Sequence, residues 1–346
     1  MIPSSLIPAI NTLAVAPIWL ETLLVTTFAI HLLLMNIALG GTVLVACHSL
    51  SGGSKISRDL SGKLPTILAL VINAGVPPLL FVKAIYAQFN YTSSVLMAVY
   101  WLVAVVALLV GYYGLYWHYY RYESMKDGGR KGLIFMVLCI LLYVGFMLSN
   151  NMTLMLRPDH WLAYFDNPNG LVLNLNDTAL MPRYLHFMVS ALAIGGLFVA
   201  ILGKRKSDQD YVATGFKWFV WATVVNIGVG LWFLMVLPRE IMLIFMGKDM
   251  LATSLLGIGL VGTVALIYAG MKQKVVLSSV LTVIMVYVMV VMRHLLRDAY
   301  LAPYFKVEDI PVTGQYSPFY LFLISLVIGI ISIIYMLKLM CKSGRS

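Results

Sequence analysis

This sequence predicts an all-α polytopic membrane protein of about nine transmembrane helices, organised as two four-helix halves with one helix added. Three observations carry that expectation. Hydrophobic residues make up 61% of the 346 positions and charged residues only 11%, whereas a soluble domain carries roughly 25% charged residues. The apolar residues fall in runs long enough to cross a hydrocarbon core of about 30 Å. Lys and Arg also alternate in abundance from one inter-run segment to the next, the signature of membrane topology.

In order, the expected spans cover 18–47, 64–89, 95–119, 132–152, 178–202, 212–237, 251–271, 275–296 and 318–340. Residues 1–17 carry no charge. The second span contains Pro77 and Pro78, which remove two backbone donors and predict a kink or break there. The third is rich in Tyr and Trp at its far end. A polar loop, 154–177, separates the fourth and fifth spans and holds His160. After the sixth span comes PREIMLIFMGKDM, too short to cross and expected as an interfacial helix. Residues 1–152 form the first half, 153–300 the second with its loop, and 301–346 a loop and the last helix.

Sixteen Lys and Arg fall on the segments around 55–63, 121–131, 204–217, 272–274 and 338–345, and seven on the opposite set, with Lys83 inside a span. The positive-inside rule then puts the C-terminus in the cytoplasm and the N-terminus outside a bacterial cytoplasmic membrane. The net charge of +10 is explained by this asymmetry, so no nucleic-acid partner is expected; the partner common to every span is lipid. Cys47, Cys139 and Cys341 are scattered and give no disulfide framework. No CxxCH occurs, so covalent c-type haem is excluded from the chain. The first apolar run is too long, and lacks the small-residue site, for a cleavable signal.

Histidines supply the candidate chemistry. An ionisable residue inside a span is costly and marks function by default. His186 lies in RYLHFMVSALAIGG, with Arg183 one turn before it and Gly195 and Gly196 after it; His31 lies in TFAIHLLLMNIALGG, before Gly40 and Gly41. In both runs eight residues separate the histidine from the glycine pair, like two copies of one unit. The small residues admit a bulky group or a neighbouring helix. His294 and Met292 lie in VVMRHLLRDAYL. Neutral imidazole within a bundle commonly binds haem iron, and Met can be the opposite ligand. His31, His186, His294 and Met292 are therefore the candidate metal ligands. Arg183, Arg239 and Arg293 are candidates for haem propionates or a quinone head group, because a guanidinium pairs carboxylates bidentately. Lys83 is expected to snorkel outward or to pair with a propionate or carboxylate. His48 and His118, at inner helix ends, are expected at headgroup level, and His160 as a solvated loop residue. The spans hold too few carboxylates to complete a hard-ligand zinc or iron shell.

His31 in TFAIHLLLMNIALGG, His186 in RYLHFMVSALAIGG and the segment INAGVPPLLF, within a nine-helix layout, resemble subunit I of the cytochrome bd quinol oxidases. The resemblance implies haem ligation by His31 and His186, with a later methionine, for which Met292 is the candidate, as a second ligand. Two departures stand out. The third span, VLMAVYWLVAVVALLVGYYGLYW, has none of the family's acidic residues, and the quinol-binding loop after the sixth span is reduced to a short segment. The chain is thus more similar to bd-like b-haem subunits that act with c-type cytochromes. One or two b haems, a quinone or quinol substrate, a c-type cytochrome or other redox subunit at the outer face, and no oxygen reduction by the chain alone are what this likeness implies. A permease and a haem-free anchor of a respiratory complex are the alternative classes.

Overall fold

The computed structural model describes residues 3–10, 12–50, 55–166 and 168–343, and the fold is all-α. Its main helices are α1 (Pro17–Leu50), α2 (Lys55–Ser61), α3 (Leu64–Ile85), α4 (Ala87–Leu96), α5 (Ala98–Tyr120), α6 (Asp127–Met155), α7 (Leu180–Lys206), α8 (Gln209–Val236), α9 (Arg239–Leu243), α10 (Met250–Met271), α11 (Val275–Leu301) and α12 (Ser317–Ser343). Among the described residues, α1, α3, α5, α6, α7, α8, α10 and α11 are long and apolar enough to cross a membrane. A 22-residue helix is about 33 Å long at 1.5 Å per residue, enough for the hydrocarbon core. The ninth expected span is the helix α12, which places Phe319 and Phe322 against Trp19 and Phe81.

The second span departs from expectation. Helix α3 runs through Pro77 and Pro78 without ending, and the chain breaks at Tyr86 (φ −115°, ψ 35°) before α4 begins. Each proline frees only the carbonyl four residues earlier, and packing among neighbouring helices tolerates that loss in a membrane bundle. The segment after α8 is α9 followed by a π-helical turn, Ile244–Lys248, closed by Gly247 at φ 117°, a conformation an L side chain rarely adopts.

Helices α1 and α7 cross at their glycine pairs. A Cβ on Gly40 would lie 1.9 Å from the Ala191 carbonyl oxygen, and one on Gly195 would lie 2.6 Å from the Gly40 carbonyl carbon. The contact is reciprocal: each helix offers the glycine nine residues beyond its histidine. Such self-matching contact is what a two-fold axis through the crossing gives. The likeness extends outward. A Cβ on Gly75 of α3 would meet the His31 ring at 2.9 Å, and one on Gly230 of α8 would meet the His186 ring at 3.3 Å. Both glycines lie forty-four residues after their histidine. Pairs α1–α3 and α7–α8 pack as units, as do α5–α6 and α10–α11.

At the N-terminal face of the bundle, Leu13 and Val312 form a bridge and Trp161 donates to the Leu154 carbonyl at 2.8 Å. At the opposite face, Asp59 of α2 ties to Lys206 of α7 and Tyr211 of α8. Partial burial pushes the Asp59 carboxyl up, but Lys206 and Tyr211 outweigh it and hold it below its ordinary value. A depressed carboxyl stabilises the fold above its unfolded pKa of about 3.9 and ceases to do so as pH falls through the folded value. Asp59→Asn should therefore cost up to about 1 kcal/mol at neutral pH. Thermal unfolding should show that difference closing below about pH 4.

Candidate functional site

A cavity of about 300 Å³ opens between α1, α7, α8, α10 and α11, within the size range of organic-ligand sites. Its lining is mainly apolar, with Leu231 and Leu260 also exposed at the surface. Helix α7 brings Arg183, His186 and Ser190 to it on one stripe, since residues three and four apart share a helix face. Helix α11 brings Met285, Met289, Met292 and Arg293 by the same spacing, and α8 brings Thr223 and Asn226. Phe245 of the π-helical turn lies in the wall as well, and is buried.

His186 has its Nδ1 buried with no hydrogen-bond partner. Its ring has room because residue 230 is glycine. Ser190 donates to the His186 carbonyl at 2.7 Å and accepts from the Asn226 amide at 2.8 Å, while Asn226 Oδ1 has no partner. Arg183 is only 7% exposed, stands over the Phe233 ring at 5.3 Å and has an unpartnered Nε. Arg293 stands over Phe28 at 4.4 Å and the buried Arg297 over Tyr86 at 4.7 Å. Among the described residues none of the three arginines has a carboxylate within ion-pair distance. Buried cations are normally paired, because an uncompensated charge in an apolar interior is costly. Of the three arginines, Arg183 and Arg293 line the cavity; their unpaired charges, beside the unpartnered His186 Nδ1, are what an anionic, metal-bearing ligand would satisfy.

The other expected site residues lie elsewhere. His31 does not line the cavity. Its Nδ1 approaches the Val71 carbonyl at 3.1 Å; since a carbonyl only accepts, Nδ1 carries the proton and Nε2 keeps its lone pair. A carbonyl held against the far ring nitrogen orients a metal-binding histidine, and it also satisfies the donor of a histidine that binds nothing. Lys83 and Arg239 are exposed and do not line the cavity either. His294 does not line the cavity: its Nε2 lies 3.4 Å from Glu21 and 3.5 Å from Asp298. The sparse carboxylates expected of the spans are thus brought together at one point.

Two of the remaining histidines are enclosed by their neighbours. His118, expected at headgroup level, is fully buried, with both ring nitrogens unpartnered; its ring meets Tyr122 edge-on, and Arg130 of α6 lies over that tyrosine. His160 is not a free loop residue: it sits in a 3-10 turn (Pro158–Phe165), bonded to Arg157 at 2.9 Å and to Asn174. His48 bonds the Leu44 carbonyl at 2.8 Å. Sequence reading missed Asn226, Thr223, Thr282, Met285 and Met289 as cavity residues. The α11 methionines recur at i, i+4 and i+7, a signal that core packing and ligand contact share. Comparison of the chain with protein-family models and with curated proteins found no match.

Proposed function

We propose that this chain is a membrane-embedded b-haem subunit that exchanges electrons between the quinone pool and a c-type cytochrome. One observation carries the reading: the half-buried His186, its Nδ1 buried and without a partner, shares an apolar cavity with Met292 and with the unpaired Arg183 and Arg293. His186 and Met292 are suited to the iron, and the two guanidiniums to propionates. Haem would supply one-electron chemistry; the protein supplies ligands, charge and a dry pocket. The charge asymmetry supports a bacterial cytoplasmic membrane with the N-terminus outside, which puts the arginine-bearing end of the cavity near the outer face and within reach of an extracytoplasmic cytochrome. Lys83 and Arg239, being exposed, take no part in holding the haem.

A visible spectrum of the purified protein tests this. A Soret band that sharpens on dithionite reduction, with b-type α bands, is the expected result. A colourless, folded preparation would reject it and return the chain to the permease or anchor classes.

The same reading predicts no oxygen reduction without a partner. Reduction of oxygen consumes protons, and a buried site must receive them through ionisable groups or ordered water; α5 carries no acidic residue. Haem-loaded protein given quinol alone should consume oxygen well below about 1 per second, the low end of enzymatic turnover. Faster sustained consumption in an oxygen electrode would refute the prediction, and reduction of added c-type cytochrome would support it.

A further inference from the structure

We infer that Glu21, His294 and Asp298 form a divalent transition-metal site at the N-terminal face, separate from the haem cavity. The three come from two helices, α1 and α11, and one ligand atom from each lies within 4.8 Å of the others. One imidazole nitrogen and two carboxylate oxygens form a mixed donor set that suits zinc or manganese rather than a soft, thiolate-seeking ion. The ligand atoms need move only a little to reach the usual metal–ligand distances of about 2.0–2.2 Å.

Three further observations point to a cation. First, among the described residues neither Glu21 nor Asp298 has a Lys or Arg at ion-pair distance, and both face the same histidine nitrogen. Two half-buried carboxylates held together repel until a positive charge is placed between them. Second, Tyr86 donates to Asp298 Oδ1 at 2.7 Å, leaving Oδ2 turned toward His294. A hydrogen bond that fixes the outer oxygen orients the inner one toward a bound ion. Third, Glu21 and Asp298 line a separate cavity of about 290 Å³ beneath the π-helical turn and the 302–308 segment. That opening gives an ion a route in and leaves a coordination position for water.

The test uses full-length protein in detergent, with cysteines alkylated and zinc chloride as the probe, read by calorimetry and by metal analysis after dialysis. The wild type should bind one equivalent that Glu21→Gln and His294→Gln lack, and zinc should raise its unfolding temperature. Tyr86→Phe should keep the site but weaken it roughly 10- to 100-fold, which loss of packing alone would not reproduce as a change in zinc affinity. Glu240→Gln, on the exposed Lys248 pair, should change nothing. No specific equivalent in the wild type, or an equivalent undiminished in both the Glu21 and His294 variants, overturns the inference. Because the wild-type measurement stands alone, a variant that fails to fold does not rescue it.

Discussion

Replacing His186 with alanine is expected to remove about one b haem per chain while the bundle still inserts and remains helical. The truncation takes away the one imidazole on the cavity wall and leaves no other nitrogen ligand there. It should be mild for folding, because the His186 ring makes no hydrogen bond through its buried Nδ1 that the fold would lose. Haem content by pyridine haemochrome, set against protein concentration, measures the effect. Gly230→Val serves as a companion. Its side chain would meet the His186 ring, where a Cβ alone already comes within 3.3 Å. The ring would then turn, and the Soret band should shift or the haem be lost, though residue 230 itself offers no ligand. If His186→Ala retains the full haem content and spectrum, the cavity is not the haem site.

How far the sequence reached can be judged residue by residue. The class was legible because it depends on hydrophobic run length, and each expected span except the second, which is split at Tyr86, returns as one helix with ends shifted by a few residues. Pro77 and Pro78 announced a kink or break; the helix continues through both, and the break falls eight residues after Pro78, at Tyr86. Arg183 and His186 were legible as polar residues in an apolar run, and they do share a cavity. The cluster of Glu21 with His294 was not, since 273 positions separate them and no local pattern links the start of α1 to the end of α11. His118, expected at headgroup level, is fully buried, and no local pattern at a helix end announces such burial.

Gly40→Ala should be among the most destabilising single substitutions in the chain. The added methyl would fall 1.9 Å from the Ala191 carbonyl oxygen and 3.0 Å from the Gly195 Cα. Both obstacles are backbone, so no rotamer change relieves the clash and α1 must move away from α7. Overpacking a close-packed interior costs typically 1–3 kcal/mol, and a backbone obstacle places this case near about 3 kcal/mol, or a fall of about 5 °C in unfolding temperature. Gly41→Ala is the first control: its methyl would meet only the end of the Leu64 side chain, at 2.9 Å, which can rotate. Gly228→Ala is the second. Nothing lies within 4 Å of its added carbon, and in a helix alanine is favoured over glycine by about 1 kcal/mol, so that variant should be neutral or slightly stabilised. The expected order of unfolding temperatures in detergent is Gly228→Ala at the top, then wild type, Gly41→Ala and Gly40→Ala. Spreading α1 from α7 would also loosen the cavity, because Leu32 and Asn36 of α1 form part of its wall. Gly40→Ala should therefore bind haem more weakly although it touches no ligand. Equal unfolding temperatures for Gly40→Ala and Gly228→Ala would show that the two halves do not meet at this crossing.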